Sequence, residues 1–272
     1  MKQFAGAGPR AAVLFTQSLD GWCLAMLFFA VLGVGSGAHA QLKVRYPIVD
    51  YSELEIEHFS DITFDKPNSG KTNNQRYTNE YYPPLPVPNL AIALENEFVA
   101  PNGENITYDA TAFEGYWQLT PTGKYWGDLA LFGEVELPIH RGDAKSYIFG
   151  PLGQTQFGEI AGYGALHTLN LLFAKTVGNN STDATRLNTA WQSRLVIHSL
   201  FEPGFEYYGQ IDQIVNPGKP AEQLHRIGPV LVGLQSFAPY GKLKYEVGYQ
   251  FGLTDATPRG TLRWRLEYEI PF

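Results

Sequence analysis

The chain has 272 residues, of which 44% are hydrophobic, 14% aromatic and only 17% charged, with a formal net charge of −7. So little charge beside so many aromatics excludes a disordered tail or a coiled coil, and 28 glycines with 18 prolines exclude a helical bundle of this size. The acidic balance speaks against a nucleic-acid partner.

Residues 1–40 read as a secretory signal peptide. Lys2 and Arg10 make a basic start, and Asp20 is the only acid in the segment. From Trp22 to Val34 runs an uncharged, mostly apolar stretch. Its length of about thirteen residues suits a leader core and is short for a helix crossing about 30 Å of hydrocarbon. Small residues follow and end in Ala38-His39-Ala40, an A-x-A cleavage site, so the mature chain is expected to begin at Gln41. A retained N-terminal anchor is the alternative. Such a leader implies the secretion translocon as a partner. Cys23, the single cysteine, lies inside the leader with no lipobox before it, which leaves residues 41–272 without a disulfide framework. Removing Lys2, Arg10 and Asp20 leaves 18 bases and 26 acids, a net −8.

From residue 41 onward the recurring period is two, the mark of strands with two unlike faces. Twelve strands are predicted, at about 51–62, 75–82, 90–99, 106–118, 128–139, 146–157, 167–177, 186–198, 204–214, 225–235, 242–252 and 261–272. In the first, Leu54 and Ile56 alternate with Glu53, Glu55 and Glu57. In the fifth, Leu129, Leu131, Val135 and Leu137 alternate with Asp128, Glu134 and Glu136. The eighth sets Leu187, Trp191 and Leu195 against Arg186, Asn188, Gln192 and Arg194. In the eleventh, Leu243, Tyr245, Val247, Tyr249 and Phe251 face away from Lys242, Lys244 and Glu246. The last is the cleanest. Leu262, Trp264, Leu266, Tyr268, Ile270 and Phe272 share one face, and Arg263, Arg265, Glu267 and Glu269 share the other.

A soluble sandwich could bury such faces, but aromatic residues near strand ends fit the girdles of outer-membrane barrels better. The fold expected for residues 41–272 is therefore an all-β, closed antiparallel transmembrane β-barrel of about twelve strands in the outer membrane of a Gram-negative bacterium. Closure supplies every backbone N–H and C=O with a partner in lipid. An even strand count puts both ends of the barrel on the periplasmic side. Loops such as 65–74 (DKPNSGKTNN) and 215–224 then fall outside. The ending over residues 262–272 resembles the C-terminal signal by which outer-membrane barrels are recognised for insertion. That resemblance makes Trp264, Leu266, Tyr268, Ile270 and Phe272 the insertion signal and the barrel-assembly machinery a partner.

The inward rows carry the charge. Glu53, Glu55, Glu57, Glu134, Glu136, Arg194, Lys242, Lys244, Arg263, Arg265, Glu267 and Glu269 are the expected lumen-lining residues. Closing the first strand on the last predicts an ionic lattice along the seam, with Lys242 and Lys244 near Glu267 and Glu269 and a coupling between Glu55 and Arg265. Two readings of the lattice stay open. Charges in a narrow lumen can pair simply to avoid lone desolvation, or they can line a path for a small polar solute.

Other patterns are weaker. Gly70-Lys71-Thr72 ends like a phosphate loop, but Asp65 stands where the first glycine belongs. His58, His140, His167, His198 and His225 are too scattered for a metal site. No metal or other cofactor is expected. His58 and Ser60 lie two apart on the face of Leu54 and Ile56, which looks toward lipid. This pair resembles the His-x-Ser arrangement of outer-membrane phospholipases and lipid A deacylases. The resemblance implies a histidine that activates the serine and an Asn or Glu that orients the histidine. The sequence identifies no orienter, and chance alternation also produces such a pair.

From the leader to Phe272 the chain resembles bacterial outer-membrane β-barrels of the channel or transport-associated kind. The blocks YSELEIEHFSDITF (51–64), RIGPVLV (226–232), GKLKYEVGYQFGLT (241–254) and RWRLEYEIPF (263–272) resemble those of a widespread proteobacterial barrel group. A looser similarity links it to outer-membrane proteins encoded with aromatic-degradation pathways. The resemblance implies passage or sensing of small molecules. The sequence therefore leads to a passive, porin-like channel or transport-associated protein for small solutes and to no catalytic residues. The alternatives are a lipid-acting hydrolase using His58 and Ser60, and a structural barrel with a filled lumen.

Overall fold

The computed structural model of the protein describes residues 42–50, 52–65, 74–101, 104–140, 142–179, 181–182 and 184–271. All belong to the unit Ala40–Phe272. The expectations for the leader with Cys23, for Gln41, for Gly70-Lys71-Thr72 and for Phe272 lie outside the described residues.

The period-two segments become twelve strands: β1 (Glu53–Phe64), β2 (Asn74–Tyr82), β3 (Leu90–Pro101), β4 (Thr107–Gln118), β5 (Asp128–Pro138), β6 (Lys145–Ile160), β7 (Tyr163–Val177), β8 (Thr185–Leu195), β9 (Glu202–Ile211), β10 (Leu224–Ser236), β11 (Lys242–Gly252) and β12 (Gly260–Pro271). The largest shift from the predicted ends is at the start of β7, expected at 167 and found at Tyr163. Each strand pairs antiparallel with its neighbours in chain order, and β1 closes on β12 to complete the barrel. At the seam Glu53 stands opposite Pro271, so β1 begins and β12 ends at the same rim, here called the terminal rim.

Two strands carry an internal Gly-Pro. The β6–β7 register passes from Phe149 to Leu152 across Gly150-Pro151, and the β10–β11 register from Ile227 to Val230 across Gly228-Pro229. Proline has no N–H to donate to a ladder. Glycine lets the neighbouring backbone come close: a Cβ on Gly228 would collide with the Tyr249 carbonyl oxygen.

The two faces differ as the alternation requires. Outward side chains are large, apolar and solvent-facing in the isolated chain, among them Ile56, Leu94, Phe113, Trp117, Phe149 and Leu266. Such a closed wall with a greasy exterior is the form that spans a bilayer. Inward side chains are mostly charged or amidic, and many are fully buried.

The interior is not wholly ionic, however. Tyr82, Ala93, Tyr116, Ala130, Phe132, Leu152 and Leu172 form an apolar cluster on the β2–β7 side of the lumen. A second cluster joins Phe59, Ala190 and Tyr208 to Leu42 and Val44, which precede β1. Residues 42–47 are thus inside the barrel. Val44 is fully buried, and Leu42, Lys43 and Arg45 are 4%, 2% and 4% exposed.

Candidate functional site

On the outer wall, one stretch of β1 inverts the rule of the fold. His58 and Ser60 point outward with Ile56, while Phe59 between them points into the lumen and is wholly buried. Polar residues toward lipid and a phenyl ring toward the lattice contradict the local pattern. Such contradictions gather at functional or strained places.

The β1–β2 ladder supplies the missing neighbour. Its register sets Asn79 directly opposite His58. Ser60 Oγ–H donates to His58 Nε2 at 2.8 Å, and His58 Nδ1–H donates to Asn79 Oδ1 at 2.9 Å. A carboxamide oxygen can only accept, so it holds the tautomer with its proton on Nδ1 and leaves Nε2 free to take a proton. Ser60, His58 and Asn79 therefore form a nucleophile, a base and an orienter in one hydrogen-bonded chain. Period two places the first pair on one face, and cross-strand pairing adds the third member. Sequence reasoning missed Asn79; the signal lay in the register of the first hairpin.

Ser60 has no exposed surface. Its in-register neighbours on the same face are Tyr77 of β2 and Trp264 of β12. Tyr77 lies with its ring centroid 6.5 Å from that of His58 and donates its hydroxyl to Gln75 at 2.6 Å. The serine thus sits between two aromatic side chains. It lies in the half of β1 farther from the terminal rim.

The expected lumen residues form a lattice, with changes of partner. Lys244 reaches Glu267 at 2.8 Å and also pairs with Glu269; Lys242 reaches Glu269 at 3.2 Å and Glu53 at 2.9 Å. Arg265 bonds Glu57 at 2.6 Å and Glu267 at 2.7 Å. The expected Glu55–Arg265 pair does not form, because the seam sets Glu55 opposite Glu269 and Arg265 opposite Phe59, one inward position nearer Glu57. Arg263, fully buried, bridges Glu206 (Nε to Oε2, 2.7 Å) and Glu246 (2.8 Å). Arg194 pairs with Glu202 at 2.8 Å. Glu134 joins not another wall residue but Arg45, at 3.2 Å, and Glu136 is half-buried farther along β5. Trp264, Leu266, Tyr268 and Ile270 lie on the opposite, outward side of β12.

Arg45 belongs to a segment that no sequence pattern assigned to the lumen. Lys43 bonds Glu57 at 3.0 Å and Glu80 at 2.6 Å. Arg45 bonds Glu114 at 2.8 Å. Tyr46 donates its hydroxyl to Glu246 at 2.6 Å and accepts from Arg194 at 2.8 Å. The segment therefore ties β1, β2, β4, β5, β8 and β11 together across the lumen. Among the described residues, two carboxylate trios have the spacing to take a metal ion, Glu55/Glu267/Glu269 and Glu80/Glu95/Glu114. Both already hold side-chain cations: Lys244 in the first, Lys43 and Arg45 in the second.

No protein-family model matches the chain, and no curated protein matches it. Solved structures do. The transport unit of the autotransporter AIDA-I from Escherichia coli has a TM-score of 0.50 at 9% identity, covering 91% of this chain and 98% of that one. The β domain of the Bordetella autotransporter Brka scores 0.49 at 11% identity, over 81% and 99%. The translocator domain of autotransporter NalP from Neisseria meningitidis scores 0.43 at 11% identity, over 94% and 97%. At such identities only the fold is shared. This chain has the fold of an outer-membrane β-barrel. The grouping with aromatic-degradation proteins gains no support from these likenesses.

Proposed function

We propose that the protein is a hydrolase of lipid acyl esters that works on its own outer wall, in the outer membrane. The observation that carries this reading is the hydrogen-bonded chain Ser60–His58–Asn79 on a face otherwise given to lipid. The expected orientation, with the terminal rim toward the periplasm, sets Ser60 at the level of the outer leaflet. Its substrate is then an ester-linked acyl chain of an outer-leaflet lipid, which reaches the serine by diffusing sideways along the wall.

The chemistry follows from the three side chains. Ser60 Oγ attacks the ester carbonyl carbon while His58 Nε2 takes the hydroxyl proton. Asn79 keeps the imidazole in the right tautomer and faces its Nδ1–H with a fixed dipole. His58 then hands the proton to the departing alcohol oxygen, leaving an acyl-serine. Water, deprotonated by His58, attacks the acyl carbon, releases the fatty acid and restores the serine.

The polar inward rows suggested a passive channel, but they are bonded to one another and to residues 42–46. They do not favour that reading for the protein at rest.

The test is acyl release by the purified full chain in detergent micelles, with a diacyl phospholipid and with lipopolysaccharide as separate substrates. Wild type should release fatty acid from at least one. Ser60→Ala and His58→Ala should each lose about 10²- to 10⁴-fold. Release that persists in Ser60→Ala, or is absent for wild type on both lipids, ends the proposal.

A further inference from the structure

Residues 42–46 do not join the sheet. They cross the lumen as an extended peptide held by side chains of the wall. Asn170 reads the backbone of Arg45 at both groups: Oδ1 accepts from Arg45 N–H at 2.7 Å, and Nδ2–H donates to Arg45 O at 2.8 Å. Arg265 donates to the carbonyl of Val44 at 3.3 Å. Val49 N–H donates to Gln118 where the segment leaves toward the terminal rim, at 2.9 Å. Leu42 and Val44 fill a small apolar seat made by Phe59, Ala190 and Tyr208. Paired contacts to a peptide group, with separate pockets for alternate side chains, are how proteins bind extended peptides.

Charge sharpens the picture. Glu80, Glu114 and Glu134 line the β2–β5 side of the lumen, all nearly or fully buried. Among the described residues their ion pairs are to Lys43 and Arg45. Of the wall's own cations, Lys242, Lys244, Arg263 and Arg265 on β11 and β12 serve Glu53, Glu57, Glu206, Glu246, Glu267 and Glu269, Arg194 on β8 serves Glu202, and Arg76 on β2 serves Glu97. The segment is therefore the counter-ion of Glu80, Glu114 and Glu134. Buried carboxylates that lose such a partner are strongly destabilised unless another cation or water replaces it. Beside the segment lies a cavity of about 420 Å³, lined by Tyr46, Ile48, Glu55, Leu234, Lys244 and Glu269 among others. It gives the segment space to move toward the rim.

We infer that this part of the lumen is a binding site for an extended basic peptide of Lys-x-Arg pattern, and that residues 42–46 are its resident, exchangeable plug. When the plug withdraws, Glu80, Glu114 and Glu134 face an aqueous path and draw in cations. The barrel then conducts, with a preference for cations. The plug acts in the lumen and the Ser60 site on the outer wall, so either can fail without the other.

The experiment is single-channel recording of the full-length protein in planar bilayers. Wild type should stay closed for most of the record. Lys43→Glu/Arg45→Glu reverses the plug's charge without shortening the chain and should give a sustained conductance with a reversal potential on the cation side. Synthetic peptide LKVRY, added to the terminal-rim side, should block that conductance, and LEVEY should not. Asn170→Ala changes no charge and only loosens the grip on Arg45, so it should raise the open time severalfold over wild type. It also covers the case in which charge reversal prevents folding. A folded charge-reversal or Asn170→Ala protein that conducts no more than wild type overturns the proposal. An anion-selective current, or equal block by both peptides, does the same.

Discussion

His58 and Asn79 face each other across the β1–β2 ladder, with Nδ1 of the imidazole 2.9 Å from Oδ1 of the carboxamide. That contact turns a two-residue pattern into a three-residue device, because it fixes which ring nitrogen can accept from Ser60.

Asn79→Leu keeps the bulk of the side chain and removes the acceptor. The imidazole can then rotate or change tautomer, so acyl release should fall, though less than in Ser60→Ala. The decisive measurement is kcat against KM. An orienting role lowers kcat and leaves KM nearly unchanged, since the acceptor lost with Asn79 serves the histidine. A change in KM alone would show that Asn79 serves only the surface.

The seam lattice offers a test of register. Arg265 bonds Glu57 and not Glu55, since Glu55 stands opposite Glu269. A double-mutant cycle of Glu57→Gln with Arg265→Met, followed by thermal unfolding in detergent, should give a coupling of about 0.5–3 kcal/mol. The same cycle with Glu55→Gln should give a smaller value. The reverse order would mean that the seam is shifted by one inward position.

How much of this was legible beforehand depends on the range of the pattern. The unbroken alternation of Leu262 to Ile270 fixed the face of the last strand, and Lys242 and Lys244 could be matched to Glu267 and Glu269 because both pairs sit in the terminal-rim half of adjoining strands. Asn79 could not be matched to His58. Nine residues, 65–73, separate the two strands, too many for their number to set the register. Lys43-Val44-Arg45 has the same alternating look as a strand edge, and nothing in a one-dimensional pattern says that such a segment enters the lumen instead of the sheet. The inward apolar residues were hidden for a related reason. Phe59 lies between two polar neighbours, and Leu172 follows Leu171, so both read as noise in a period of two.

Arg263 is the most demanding group in the lumen: fully buried, it lies between the carboxylates of Glu206 and Glu246. Arg263→Met leaves both without their bridge. Removing one partner of a buried pair costs about 3–5 kcal/mol, so the unfolding transition in detergent should move clearly downward. Arg263→Met combined with Glu206→Gln and Glu246→Gln should recover much of the loss, because no buried charge is then stranded. An Arg263→Met barrel as stable as wild type would mean that water already screens this position.

Ser60 has no exposed surface between Tyr77 and Trp264, so reagents and lipids meet the two rings before they meet the hydroxyl. Access then sets the rate at which the serine reacts. A fluorophosphonate needs only an activated serine and room to reach it, so its labelling rate reports on the two rings without requiring the natural lipid. Wild type should label slowly. Tyr77→Ala and Trp264→Ala, each opening one side, should label faster, while Ser60→Ala should not label at all. Faster labelling in Tyr77→Ala must also survive addition of His58→Ala in weakened form, since exposure and activation are separate contributions. If neither ring truncation changes the rate, the aromatic pair does not control entry. The serine would then have to be approached along the strand, past His58.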